Sequence, residues 1–207
     1  MSGRITIDLF TTLDGVAQAP GGPDEDTSGG FTWGGWQAPY QDQIIGREIM
    51  AGISAMDALV LGRRTYDIFA AYWPQHEEGE AEGAIGRRFA EIPKYVASRG
   101  DVDLRWAGSH RLGEDAAASV SALRETHDDI HVIGSIDFVH SLLAAEAYDE
   151  LVLWVYPLVL GTGRKVFPDG AMPARLKMLA PAVTGDSGVV SLRYGPDGAP
   201  TTGDMTA

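Results

Sequence analysis

Three short runs in this chain combine glycine with hydroxyl or guanidinium side chains where an apolar stretch gives way to a helical pattern. Gly62, Arg63, Arg64 and Thr65 follow the apolar residues 58–61, Ser98 and Arg99 follow residues 93–97, and Gly134 and Ser135 follow residues 130–133. The free N–H groups of a helix start attract an anion, glycine lets a phosphate approach the backbone, and arginine grips phosphate through two parallel hydrogen bonds. Taken singly, each run is equally well a turn glycine, a pair of solvated arginines or a serine helix cap. Three of them at strand ends of one sheet point to a phosphate or pyrophosphate site.

Two carboxylates and a set of aromatic residues could serve a substrate beside such a site. Asp14 follows the first apolar alternation, and Asp42 lies where the next helical stripe begins, so either could deliver a proton. Asp42 is as readily an acid placed in a first helical turn by the helix dipole. Trp33, Trp36, Tyr40, Tyr72 and Trp73 could stack on a planar ring or fill a core or dimer contact. His127 and His131 are four residues apart but straddle a change from helix to strand, so they do not share a face as a metal pair would.

The whole-chain arithmetic narrows the partners. In 207 residues there are 29 acidic and 16 basic side chains, for a net charge of −13, which repels nucleic acid and anionic lipid over the general surface. A local group of arginines in an acidic chain suits a small polyanion. Cysteine is absent, which excludes disulfides, thiolate zinc and a cysteine nucleophile together. No window approaches the roughly 20 apolar residues of a membrane span, so the chain is expected to be soluble and cytoplasmic.

The elements that must position these residues follow from periodicity. Residues 4–10 alternate as a strand; residues 15–35 are too rich in Gly, Pro and acids for a regular element, and a loop of that length is usually functional or mobile. Pro39 is expected to open a helix through Ile53. Strand, turn and helix follow at 58–72, and an acidic insert at 75–83 precedes a helix over 85–91. Strands are expected at 93–98 and 130–133, with helices over 119–126, capped by Ser119 or Asp115, and over 138–145. Strands at 151–156 and 158–160, parted by Pro157, and a terminal pair at 176–183 and 189–194 complete the reading. It predicts one α/β domain over 1–195, with a mostly parallel sheet, antiparallel strands at its C-terminal end, helices on both faces, and a flexible tail over 196–207. Neither Gly-x-Gly-x-x-Gly after the first strand nor a Gly-Lys-Ser/Thr phosphate loop is present, which argues against a conventional Rossmann enzyme or nucleoside triphosphatase. Gly161, Thr162 and Gly163 read as a tight connection or a ligand contact.

The ordered blocks Leu59 to Tyr66, Lys94 to Arg99, Val132 to Ser135, and Asp149 to Leu151 with Pro157, Leu160 to Gly163 and Phe167 resemble the dihydrofolate reductase superfamily. Leu13, Asp14 and Gly15 after the first strand resemble its branch containing the reductase (C-terminal) domain of the bifunctional riboflavin-biosynthesis deaminase/reductase. The resemblance covers roughly residues 4–194. It implies a dihydrofolate-reductase-like three-layer fold and an NADPH-dependent reductase acting on a small heterocyclic, pterin- or aminopyrimidine-like, or carbonyl substrate, with a non-catalytic dinucleotide-binding or sensor protein as the alternative. By that resemblance Gly62, Arg63, Arg64 and Thr65 would follow the cofactor phosphates, Ser98 and Arg99 would receive the 2′-phosphate, and Gly134 and Ser135 would form the pyrophosphate turn. Val16 and Ala17 would lie along the nicotinamide. Asp14, Trp36 and Tyr40 would face the substrate, with Asp14 or Asp42, or an ordered water, as the proton source. The single helix carboxylate that serves folate reduction has no counterpart in the expected motif. The deaminase half is excluded, because its zinc signature needs cysteine. A homodimer is expected from the apolar late strands.

Overall fold

Hydrophobic alternation in β1 (Arg4–Thr12) divides the molecule. Ile5, Ile7 and Leu9 are buried on one side and Thr6 and Asp8 lie on the other, so β1 is covered on both faces and sits centrally. The computed structural model describes residues 2–205. In it β1 lies between two parallel neighbours, β5 (Asp129–Val132) and β6 (Glu150–Tyr156). β2 (Ala58–Gly62) pairs parallel with β5 and with β3 (Lys94–Ala97), and β3 pairs with a short edge strand, β4 (Ser109–Arg111). The other edge is antiparallel: β9 (Val190–Pro196) pairs with β6, and β7 (Leu176–Met178) and β8 (Val183–Thr184) pair with β9. The main order is β4-β3-β2-β5-β1-β6-β9-β7.

Helices cover both faces. On one side α4 (Ala116–Ala122) and α5 (Ile136–Ala144) bring Val120, Phe138, Val139 and Leu142 onto Ile5, Ile7, Val60, Ile130 and Val132. Each such aliphatic side chain, fully covered, contributes roughly 1.5–3 kcal/mol. On the other side lie α1 (Gln43–Ala55), α2 (Arg63–Tyr72) and α3 (Ala81–Glu91), with Ile53, Tyr66 and Phe89 packed on Leu59, Leu61 and Val96. This is the three-layer, mostly parallel α/β fold that the sequence predicts.

Several boundaries differ for local reasons. Pro39 lies in a turn, and α1 starts at Gln43 because Asp42 accepts hydrogen bonds from the Ile44 and Ile45 N–H groups and caps the helix. Asp115, not Ser119, caps α4. Residues 158–160 are not a strand: Pro157 offers no N–H to a ladder, and Asp14 takes the N–H groups of Leu160 and Gly161. The run 176–183 is split into β7 and β8, with Pro181 between them. At the C-terminal end the pairing outlasts β9, since Asp197 N–H donates to Arg175 O and Arg175 N–H to Gly198 O. The expected free tail therefore does not begin at 196.

The long loop is packed rather than loose. The buried Gln18 amide donates to the Asp26 and Ser28 carbonyls and accepts from Arg164 N–H, while Phe31 and Trp36 are buried against Val16, Ile45 and Tyr156. Beneath α1, His131 is buried between Asp8, at 2.5 Å, and Asp129, at 3.4 Å. Burial works against its charge, but the two carboxylates outweigh it and lift the imidazole to about 9.

Candidate functional site

The carboxyl ends of the parallel strands bring the first group of sequence candidates together. Gly62 ends β2 and donates its N–H to Gly134 O at 2.9 Å, so the turn before α2 and the turn before α5 lie side by side. A Cβ on Gly62 would stand 2.2 Å from Ser135 Oγ and 2.8 Å from Ser135 N. Gly62 has an ordinary extended φ of −71°, so it is space, not conformation, that demands glycine. Gly134, at φ 80°, faces Thr65, whose Oγ1 would lie 3.0 Å from an added Cβ. Neither α2 nor α5 receives a side-chain cap, so the first-turn N–H groups of two adjacent helices remain open to an anion. Ser98 and Arg99 follow β3, which is hydrogen-bonded to β2 at Gly62 and Ala97. Ser98 Oγ is turned into its own loop, donating to Gly100 O, and Arg99 is exposed.

The arginines are held differently. Arg63 is exposed and pairs one turn on with Asp67 at 3.6 Å. Arg64 reaches the long loop instead, donating to Asp26 and to Ser28 Oγ, each at 2.8 Å. Ser28 Oγ also accepts from Arg164, which in turn pairs with Asp137 on the first turn of α5. Residues 26–28 thus bridge the starts of both helices. Burial would raise the Asp26 pKa, but its bonds from Ser28 and Arg64 prevail and hold it below the usual carboxylate range. Gln18, Asp26, Ser28 and Arg164 are absent from the sequence candidates. Arg164 directly follows the Gly161 to Gly163 run, which was the available signal, while Asp26 and Ser28 look in sequence like ordinary loop residues.

A second feature lies beside α1, at the carboxyl end of β6. It is a cavity of about 280 Å³ lined by residues including Gln37, Tyr40, Gln41, Asp42, Ile45 and Tyr156. The Tyr40 and Trp36 rings meet Tyr156 edge-on, with centroids 5.6 and 5.3 Å away. Tyr40 lines the cavity, whereas Trp36 is buried behind it and donates its indole N–H to Gln18 O. Periodicity alone makes Tyr156 part of a strand; its place beside the cavity depends on register with Thr12 across β1 and β6. Burial pushes its hydroxyl up to about 12.

Both candidate acids are engaged elsewhere. Asp42, besides capping α1, accepts from Ser187 N–H at 2.7 Å. The Ser187 and Ile45 N–H groups hold its carboxyl at about 2. Asp14 is not among the residues lining the cavity. It accepts from Thr12 Oγ1 at 2.5 Å and from the Leu160 and Gly161 N–H groups. Partial burial works against these bonds, yet they hold its carboxyl below the usual range. Both carboxylates serve here as hydrogen-bond acceptors, Asp14 for the connection at residues 160–161 and Asp42 for the start of α1. Val16 is fully covered, packed in one cluster with Phe31 and closely approached by Gly163, and Ala17 is nearly covered in the cluster on the α5 side of the sheet. Among the described residues no group of three or more His, Asp or Glu side chains could hold a metal. His127 faces Tyr95, and His131 faces Asp8 and Asp129.

Residues 4–190 match the family model described as the RibD C-terminal domain. The chain belongs to that family. Among curated proteins it is 26% identical over 196 residues to YyaP of Bacillus subtilis, covering 92% of this chain and 94% of that one; the relative is described as uncharacterized. The RibD-family fold is also that of a dihydrofolate reductase from Enterococcus faecalis complexed with NADP(H), with a TM-score of 0.56, 14% identity, and coverage of 95% and 98% of the two chains. A third similarity is to the diaminohydroxyphosphoribosylaminopyrimidine deaminase/5-amino-6-(5-phosphoribosylamino)uracil reductase of Thermotoga maritima, with a TM-score of 0.58 and 13% identity over 95% of this chain and 57% of that one. Both structural likenesses are of fold. No helix among the described residues is long and apolar enough to cross a membrane.

Proposed function

We propose that this RibD-family chain is an NADPH-dependent reductase of a small heterocyclic, pterin- or aminopyrimidine-like, or carbonyl substrate. The observation that carries the reading is the pair of adjacent, uncapped helix starts at Gly62 and Gly134, with Arg63 and Arg64 on the first turn of one of them. The open N–H groups and the space kept clear by glycine fit a pyrophosphate. Arg63, Arg64 and Thr65 flank it, and the exposed Arg99, which follows Ser98 on the neighbouring strand end, is suited to a further phosphate that would separate NADPH from NADH.

When bound, the reduced nicotinamide would supply a hydride. The chain's own part is to anchor the cofactor's phosphates, hold the substrate ring in the cavity beside α1 and limit their relative motion. Asp14 and Asp42 are ionised in this geometry, so the proton that completes reduction of a C=N or C=O bond is assigned to water entering the open cavity. Those occupied carboxylates are also what would favour the second reading, a dinucleotide-binding sensor without turnover. The same reading includes a cytoplasmic homodimer, supported by the exposed apolar side chains of Phe167, Met172 and Met178.

Fluorescence titration with NADPH and NADH tests the site. NADPH is expected to bind more tightly, and the triple variant Arg63→Ala, Arg64→Ala, Arg99→Ala to lose at least about 100-fold in affinity, since a charge-assisted bond contributes about 1.5–3 kcal/mol. Unchanged affinity in the triple variant would overturn the assignment. NADPH binding without oxidation across pterins, aminopyrimidines and aldehydes would move the reading to the sensor.

A further inference from the structure

The cavity beside α1 and the phosphate-suited turns differ in charge in a way that selects a substrate. Among the residues lining the cavity there is no lysine, arginine or histidine. Its one ionisable group of low pKa is the Asp42 carboxylate, kept charged by three backbone donors. The helix N-terminus that borders the cavity could itself have received an anion, but Asp42 already takes the Ile44 and Ile45 N–H groups. A phosphate dianion placed here would meet a like charge and an occupied helix start, with no guanidinium or ammonium to offset its lost hydration.

What the cavity does offer suits an uncharged ring. Tyr40 and Tyr156 present aromatic surface, Ile45 and Ile49 apolar edges, and Gln37 and Gln41 polar amides, of which Gln37 bonds Tyr156 and Gln41 Nε2 donates to Ala38 O, leaving the Gln41 amide oxygen as an acceptor. Its volume of about 280 Å³ lies at the lower edge of the roughly 300–1,000 Å³ typical of small-molecule sites, room for a mono- or bicyclic ring.

We infer that this cavity takes an unphosphorylated planar heterocycle, neutral or cationic, and discriminates against a phosphoribosylated aminopyrimidine of the kind named for the Thermotoga enzyme. This rests on the reductase reading, whose substrate class it specifies. Calorimetry on the intact chain, without cofactor, would compare 5-amino-6-(ribosylamino)uracil with its 5′-phosphate, while a separate titration measures NADPH. The unphosphorylated ring is expected to bind at least about tenfold more tightly. Gln41→Arg, which sets a guanidinium at the rim, is expected to shrink that ratio at least about threefold and to leave NADPH affinity as it was.

Equal or tighter binding of the phosphate by the unaltered chain overturns the inference. So does failure of either ring to bind, or a ratio indifferent to Gln41→Arg. Loss of NADPH binding with ring discrimination intact would instead sink the reductase reading and leave the cavity's preference standing.

Discussion

Two helix starts at the carboxyl edge of the sheet are finished in opposite ways. At α2, Gly62 supplies no cap and Arg63 and Arg64 follow; at α1, Asp42 fills the helix end with its own carboxylate, and no cation lines the cavity beside it. The same backbone dipole is left open to an external anion in one place and neutralised internally in the other. In a chain carrying −13 overall, the two helix starts differ in the charge set beside them. On the proposed reading a polyanion would take the α2 and α5 end, and an uncharged ring the α1 end.

The largest effect is expected where the first region is packed most tightly. Gly62→Ala drives a methyl into Ser135 Oγ and the Ser135 backbone. It should cost about 3 kcal/mol of stability, the upper end of overpacking, and lower NADPH affinity in whatever remains folded. Adding Ser135→Ala should recover part of the loss in denaturant unfolding, because it removes the hydroxyl but not the backbone nitrogen. A fully silent Gly62→Ala would show that the two turns are not in contact.

The second region has its own lever, because α1 crosses over His131 at Gly52, where an added Cβ would lie 3.6 Å from the imidazole. The His131 pKa is raised by folding, so its contribution is complete below the unfolded value of about 6.5 and disappears as pH climbs through about 9. Stability measured from pH 6.5 to 9 should therefore fall by on the order of 2 kcal/mol more in the unaltered chain than in His131→Asn. Parallel pH profiles for the two proteins would remove the buried imidazolium from the account of how α1 is moored.

The smallest effect concerns the contact between the loop and Arg64. In the open ends of α2 and α5, Asp26 already occupies the guanidinium a phosphate would use. Asp26→Asn should tighten NADPH binding about two- to fivefold, matching the 1 kcal/mol or less of a part-exposed ion pair. Weaker binding in that variant would mean that Asp26 positions Arg64 for the ligand instead of competing with it.

Much of the architecture was legible because it rests on local patterns. The alternation of residues 4–10 sets apolar side chains on one face and polar ones on the other, the helical stripe through Ile45 and Ile53 buries one side of α1, and the short apolar runs before Gly62 and Gly134 are buried on both faces. The elements that differ are those where a distant part of the chain decides. Asp14 captures the N–H groups of residues 160 and 161, and the edge strand β4 exists because β3 offers it a ladder, not through any pattern of its own. The phosphate-suited turns were readable because glycine, arginine and hydroxyl residues sit together in sequence. The cavity was only half visible: Tyr40 and Asp42 could be named, but Tyr156 comes to it from more than a hundred residues away.

The chain's residue types alone determined an acidic, cysteine-free α/β protein with three glycine-bearing strand ends, because composition and short-range periodicity carry that information. The tertiary structure decided which polar groups were still free to act. It spent the hydrogen-bonding capacity of Asp14 and Asp42 on backbone N–H groups, turned Arg64 toward Asp26, and left two adjacent helix starts open. An aspartate reads the same in sequence whether or not its oxygens are engaged; only the arrival of distant donors settles which it will be.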